Sequence, residues 1–248
     1  MIIIKTMEEI EKMRAAGKIL AECHQQIEKM LRPGISTWEI DQFAENFIRS
    51  KGATPEQKGY HGYPYATCAS VNDVICHGFP KHEPLQEGDI VTIDMVVNLN
   101  GWLADSAWSY GIGTISDTAA KLLQTTKESL FKGIEQAVAG NRIGDVAHAI
   151  QVYAESNGYS VVRDFIGHGI GSEMHEAPQV PHYGPAGKGP RLKEGMVFTI
   201  EPMLNTGSFR TRIDADGWTA RTIDGSLSAQ YEHTLAITPQ GTVILTEL

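Results

Sequence analysis

Leu85-Gln-Glu-Gly-Asp-Ile-Val-Thr-Ile-Asp94 and Leu192-Lys-Glu-Gly-Met-Val-Phe-Thr-Ile-Glu201 stand 107 positions apart and agree at six of ten columns: Leu, Glu, Gly, Thr, Ile and the terminal carboxylate. The apolar stretches inside them, Ile90–Ile93 and Met196–Ile200, read as strands, so each carboxylate follows a β-rich run. The repeat extends upstream. Pro33-Gly34, Glu39-Ile40, Phe47, Ser50 and Gly52 match Ala139-Gly140, Asp145-Val146, Tyr153, Ser156 and Gly158 at an offset of 106, and His61-Gly62 falls opposite His168-Gly169 at 107. Solenoid repeats have periods of roughly 20–50 residues. A period this long describes a duplicated half-domain, each half reading helix, loop, strand. Such a duplication brings Asp94 and Glu201 to equivalent places and predicts one shared acidic site at the pseudo-symmetry axis.

The 248 residues, 42% hydrophobic and 21% charged, suit an ordinary globular core. The repeat favours one domain over residues 1–248, with halves of roughly 30–110 and 137–237. A net charge of −9 argues against sequence-specific nucleic-acid binding, which needs Lys and Arg against phosphates. No apolar run approaches the ~20 residues of a membrane helix, and Met1-Ile-Ile-Ile4 is too short for a signal-peptide core. The three cysteines, Cys23, Cys68 and Cys76, form no CxxC, which points to a reducing cytoplasmic setting.

Thr6-Met-Glu-Glu9 and Ser36-Thr-Trp-Glu39 are capping boxes. The first opens a helix with Ile10, Met13, Gly17, Leu20, Ile27 and Leu31 at helical spacing, stopped by Pro33-Gly34; the second opens a helix to about Ser50. Residues 67–76 and 89–98 read as strands. Asn100-Gly101 is a two-residue hairpin signal leading into a strand near 102–110. Further helices are expected from Ser116 or Asp117 to about Val138 and over roughly 143–157, then a strand Ser160–Phe165.

If Asn100 and Gly101 form the turn, 94 pairs with 107 and 96 with 105. Asp94 and Asp105 are then diagonal neighbours on one face, about 7–8 Å apart at Cα. Two carboxylates so placed can grip a pair of metal ions ~3.5–4 Å apart; without cations they repel and one takes up a proton. Alone, Asp105 reads equally as a solvated strand residue. His168 sits in the Gly-rich Gly167-His-Gly-Ile-Gly171, His175 follows in Met174-His-Glu-Ala-Pro178, and Tyr231-Glu232-His233 supplies another strand-borne carboxylate, with His233 turned away by alternation. His24, His82, His148 and His182 read as surface or core residues.

Tyr60-His-Gly-Tyr-Pro64, Cys76-His-Gly78, Ile93-Asp94, Asp105, the His168 and His175 motifs, Phe198-Thr-Ile-Glu-Pro-Met203, Asp216-Gly-Trp218 and Leu227-Ser-Ala-Gln-Tyr-Glu-His233 stand in order along nearly the whole chain. This set closely resembles the type I methionine aminopeptidases, in their short bacterial form, without an amino-terminal zinc-binding extension or an inserted helical subdomain. The resemblance implies an α+β pita-bread fold with two pseudo-symmetric halves around a central antiparallel sheet. It implies removal of the initiator methionine from nascent polypeptides whose second residue is small. Two divalent ions (Mn, Fe(II), Co or Zn) would be held by Asp94, Asp105, His168, Glu201 and Glu232, with Asp105 and Glu232 bridging; one nitrogen among oxygens does not select among these metals. Glu201 would shuttle protons, His175 would donate to the developing oxyanion, and His77 would lie near the scissile amide nitrogen. The alternative for His77, after Cys76 at a strand end, is a buried structural histidine.

Tyr60, Tyr63, Cys68, His77, Met174, His175 and Trp218 would contact substrate. Two positions depart from the family pattern: Gln57 stands where a Cys is common, and Met174 where an aromatic often lies. Partners would be polypeptide amino termini; the basic loop Lys188, Arg191 and Lys193 reads first as a solvated loop and otherwise as a transient ribosome contact; the chain would act as a monomer. A non-catalytic binding protein on this fold would have lost metal ligands, which are all present. A prolidase would share the ligands but carry an added amino-terminal domain.

Overall fold

The structure, a computed structural model, describes residues 1–248. Four helices carry the outer layer: α1 (Met7–Met30), α2 (Thr37–Ser50), α3 (Asp117–Gln136) and α4 (Ile143–Ser156). Both capping boxes form. The Thr6 amide donates to Glu9 Oε2 at 2.7 Å and the Ser36 amide to Glu39 Oε2 at 2.8 Å, satisfying amides the first helical turn leaves unpaired. The apolar stripe of α1 is buried through Ile27; Leu31 is the C-cap and not helical. At Gly17 a Cβ would lie 2.0 Å from the Leu245 carbonyl oxygen, so glycine is what lets the C-terminal segment cross this helix.

In the first half, Ile90–Leu99 and Trp102–Gly111 form a long hairpin about Asn100-Gly101, both with positive φ (54° and 86°) as a type I′ turn requires. The expected register holds: Asp94 faces Ala107 and Val96 faces Asp105. Cys68–Val71 and Thr54–Pro55 flank the hairpin. The stretch expected as one strand over 67–76 is two, Cys68–Val71 and Val74–Cys76, broken at Asn72, whose φ of 53° turns the chain. Against this sheet α1 and α2 bury the largest core, including Leu20, Ile27, Ile40, Ile48, Ile93 and Met95. In the second half, five strands lie in the order Gly241–Ile244, His233–Thr238, Val197–Ile200, Gly167–Gly169, Glu176–Val180. They bury Val146, Ile150, Phe198, Ile200 and Leu235 under α3 and α4.

The two halves meet edge to edge. The Glu232 amide donates to the Ala107 carbonyl at 2.8 Å. On one side Thr234 Oγ1 bonds both the amide and the carbonyl of Asp105; on the other Ser109 Oγ bonds both groups of Gln230. The registers make this junction two-fold. Ile93 faces Trp108 and Ile200 faces His233, so the 107-residue offset that carries Ile93 to Ile200 becomes 125 on the next strand. That offset maps Ala107 onto Glu232, and these two residues bond to each other on the axis. The extra residues lie in the segment with the hairpin Thr211–Ile213/Ala220–Thr222.

The same registers correct one match in the sequence. Gly169 faces Phe198, whose equivalent is Val91, and Val91 faces Val71. Gly169 is therefore equivalent to Val71, and His168 to Ser70. His61-Gly62 is a coincidence of spelling: it lies in a short 3-10 turn, Tyr60–Gly62, outside the sheets. The strand expected over Ser160–Phe165 is shorter, Ser160–Val161, which frees Phe165 to reach the central cavity.

Candidate metal centre and active site

A cavity of about 300 Å³ opens at the junction of the halves, and every site residue expected from the sequence lines it: Gln57, Tyr60, Tyr63, Cys68, His77, Asp94, Asp105, His168, Met174, His175, Glu201, Trp218 and Glu232. Asp94 and Asp105 share a face of the hairpin, as the register demands. Glu201 lies one residue beyond the strand Val197–Ile200, where Pro202 ends the ladder. Glu232 is not on a strand. It occupies the break between Ser228–Gln230 and His233–Thr238, which lets its carboxylate turn inward while its amide bonds Ala107.

His168 reaches the cavity because the ladder slips between His168 and Gly169, a bulge that re-aims the side chain. Its Nδ1 donates to the Gly169 carbonyl at 3.0 Å, so Nε2 carries the lone pair. That nitrogen points between two carboxylates, 3.6 Å from Glu201 Oε1 and 3.7 Å from Asp105 Oδ2. Burial, with His175 adding to it, holds the imidazole down at about 4, hence neutral. Three potential ligand groups therefore face one another. One ligand atom each from Asp105, His168 and Glu232 lie within 4.8 Å of one another. Asp105 Oδ1 and Glu232 Oε1 are buried without any hydrogen-bond partner. A cation is what these orphaned acceptors lack.

The carboxylates confirm the strain. Burial pushes Asp94 up to about 7 and Glu201 up to about 8. Asp105 and Glu232 go well above the usual carboxylate range, first by burial and then by the neighbouring negative charges. Four buried carboxyls at one place cannot all ionise unless cations neutralise them.

Other side chains hold these groups in place. Thr199 Oγ1 donates to Glu201 Oε1 at 2.8 Å and accepts from the His168 amide at 3.0 Å; Gln230 Nε2 donates to Glu201 Oε2 at 3.3 Å. The Glu201 amide donates to Nε2 of His182, a fully buried histidine. Gln57 Nε2 donates to Asp94 Oδ1 at 3.3 Å and lies 3.4 Å from Cys68 Sγ. Sequence reasoning missed Thr199, Gln230, Val96 and Met203. Period-two alternation from Asp94, Glu201 and Glu232 would have found all four; Phe165 leaves no local signal.

The opposite wall is aromatic. Tyr63 and Trp218 meet edge to face at 5.1 Å, and the Tyr63 hydroxyl is held at the Thr67 and Gly78 carbonyls. His77 abuts Phe165 at 5.3 Å and carries a positive φ of 56°, uncommon for a residue with a Cβ. Burial first, then His175, holds it down at about 4. His175 Nδ1 lies 2.7 Å from the Tyr60 hydroxyl, and its ring sits 4.2 Å from that of His168. Met174 is buried in the same wall.

The profile of metallopeptidase family M24 matches residues 11–239. The chain belongs to metallopeptidase family M24. Membership implies the use of divalent metal ions, as the donor set does. Among M24 relatives, methionine aminopeptidase 1 of Bacillus subtilis is 51% identical over 248 residues, with 100% of both chains covered. The methionine aminopeptidase of Clostridium perfringens is 53% identical over 246 residues, covering 99% of each. The crystal structure of methionine aminopeptidase from Rickettsia prowazekii superposes with a TM-score of 0.98 at 45% identity, covering 99% of this chain and 100% of that one. The pita-bread fold of these proteins is the fold described above.

Proposed function

We propose that this M24 chain is an aminopeptidase that removes the initiator methionine from polypeptides with a small second residue, using two divalent ions. The observation that carries it is the convergence of Asp94, Asp105, His168, Glu201 and Glu232 at the junction of the halves, opposite an apolar and aromatic pocket. The full-length likeness to methionine aminopeptidases supports the same reading.

Asp94, Asp105 and Glu232 would hold one ion, and Asp105, Glu232, His168 and Glu201 the other, so that Asp105 and Glu232 bridge. Four carboxylates balance the charge of two divalent ions; the donors suit Mn, Fe(II), Co or Zn. The ions, when bound, supply Lewis acidity to the scissile carbonyl and acidify a nucleophilic water. The side chains do the rest. Glu201, oriented by its donors Thr199 and Gln230, takes a proton from the nucleophile and passes it to the leaving amine. His175, steered by Tyr60, donates to the oxygen on which charge develops. His77, held neutral, lies beside the amide nitrogen. Tyr63, Cys68, Trp218 and Met174 receive the methionine side chain, with Tyr60 and Gln57 at its rim.

Both halves furnish this site, so residues 1–248 are read as one catalytic domain, repeated over roughly 30–110 and 137–237. The buried, unpaired cysteines and a substrate made at the ribosome support a cytoplasmic location; the protein is read as a monomer, with Lys188, Arg191 and Lys193 available for transient ribosome contact. The test is hydrolysis of Met-Ala-Ser. Chelation should abolish it and Mn, Co or Fe(II) under anaerobic conditions should restore it. Asp105→Ala should weaken metal binding by well over the ~10–100-fold typical of losses outside the ligand set. Full activity in excess chelator with no bound metal rejects the reading.

A further inference from the structure

One buried ion pair outside the metal centre has no part in the proposed chemistry. Lys5, in the segment ahead of α1, is ion-paired with Glu176, and the two side chains are only 2% and 4% exposed. Glu176 directly follows His175. Its other carboxylate oxygen reaches across the loop to the Glu173 amide at 3.5 Å, so the side chain is a peg beneath the loop Gly171–His175. The Lys5 stem and the Glu176 carboxylate press on Gly171: a Cβ there would lie 2.5 Å from Glu176 Oε1 and 2.6 Å from Lys5 Cε. Lys5 is itself anchored. Its amide donates to the Gly195 carbonyl at 2.7 Å, and a Cβ on Gly195 would strike Ile4 at 2.5 Å. Gly195 lies in the repeated stretch that ends at Glu201. A continuous set of contacts thus runs from the Glu201 strand, through the amino-terminal segment, to the loop bearing His175.

We infer that Lys5 is a positioning residue for His175, acting through the Glu176 peg, so that the amino-terminal segment is part of the active-site apparatus. Burying a Lys and a Glu costs several kcal/mol each in desolvation, and an apolar pair of similar volume would hold the segment at least as well. What the ion pair adds is direction: it fixes where the Glu176 carboxylate, and hence the preceding peptide, sits. The far end of His175 is fixed by the Tyr60 hydroxyl on Nδ1. With both ends held, the ring, which lines the cavity, keeps one orientation. A displacement of about 1 Å in such a group can lower a rate by about a hundredfold.

The inference rests on the reading that His175 acts on the reacting carbonyl, and a double-mutant cycle separates the two. Lys5→Met, Glu176→Gln, His175→Ala and the two doubles Lys5→Met/His175→Ala and Glu176→Gln/His175→Ala are compared on Met-Ala-Ser for kcat and KM, with bound metal counted in each. Lys5→Met should lower kcat by roughly 10–100-fold while KM and metal content stay near those of the parent. In the His175→Ala background the same change should lower kcat by less than about threefold, because its target is gone. Glu176→Gln keeps the shape of the peg and should show the same non-additivity even if Lys5→Met folds poorly. Independent multiplication of the two effects, or a loss confined to stability or metal content, overturns the inference. If His175→Ala alone leaves kcat unchanged, the assignment of His175 is what fails.

Discussion

Asp105→Asn should stabilise the metal-free protein, and the gain should grow with pH. Asp105 is buried between Asp94 and Glu232, with Oδ1 lacking any partner. Burial and its charged neighbours hold its folded pKa far above the ordinary 3.8. A raised carboxyl pKa gives stability that is complete below the unfolded value and is lost as pH rises toward the folded one, because the folded state keeps a proton that the unfolded chain releases. That loss runs at about 1.4 kcal/mol per pH unit. Asparagine needs no proton and escapes it. Between pH 6 and 8 the advantage of Asn over Asp should therefore widen, by at most about 2.7 kcal/mol. For a chain of this length 1 kcal/mol moves Tm by about 2–4 °C, so the widening should appear as a rise in the Tm difference of up to roughly 11 °C. Denaturant unfolding and calorimetry in chelator at the two pH values measure it, and saturating Mn should reverse the order by favouring the parent. An Asn–Asp difference that stays constant from pH 6 to 8 refutes the reasoning, since any fixed cost of fitting the amide is independent of pH.

His175→Ala should lower kcat by about 10²–10³, the usual cost of one oxyanion donor, with metal content near that of the parent; loss of the metals would make His175 a ligand instead. Comparing kcat/KM for Met-Ala-Ser, Leu-Ala-Ser and Met-Leu-Ser tests the pocket. Met should stay the best first residue by the ~1–3 kcal/mol that small changes in an apolar side chain permit, and Met-Leu-Ser should be poor because His77 and His175 crowd the second position. Equal rates on Leu-Ala-Ser break the first half of that expectation, and equal rates on Met-Leu-Ser the second. Gly78→Ala places a Cβ 2.3 Å from the Ala69 carbonyl oxygen. It should cost about 1–3 kcal/mol and reduce activity by shifting His77, while an unchanged melting point would show that this hairpin yields freely.

Local signals sufficed where one segment decides its own structure. The capping boxes at Thr6 and Ser36, the Asn100-Gly101 turn and the facing of Val96 and Asp105 follow from side-chain chemistry within a few residues. The repeated Leu-x-Glu-Gly stretch exposed the two-fold architecture, because a duplicated half must bury the same face in the same way. Motif order along the chain pointed to Asp94, Asp105, His168, Glu201 and Glu232, which converge on one cavity. Tertiary structure alone decided what depends on contacts between distant segments. His61-Gly62 matches His168-Gly169 in letters, yet only strand register shows that Ser70 is the equivalent of His168. Ala107 and Glu232 become partners on the axis because 18 extra residues in the second half shift the offset from 107 to 125, and no local pattern encodes which backbone groups then bond across the halves. His182 looks like any core histidine until its ring is found on the Glu201 amide. Lys5 looks like a solvated charge until the fold carries it to Glu176, 171 residues away. Periodicity and capping are properties of neighbours in sequence, whereas burial, orphaned acceptors and ion pairs arise only when closure of the chain removes water from between groups that the sequence keeps far apart.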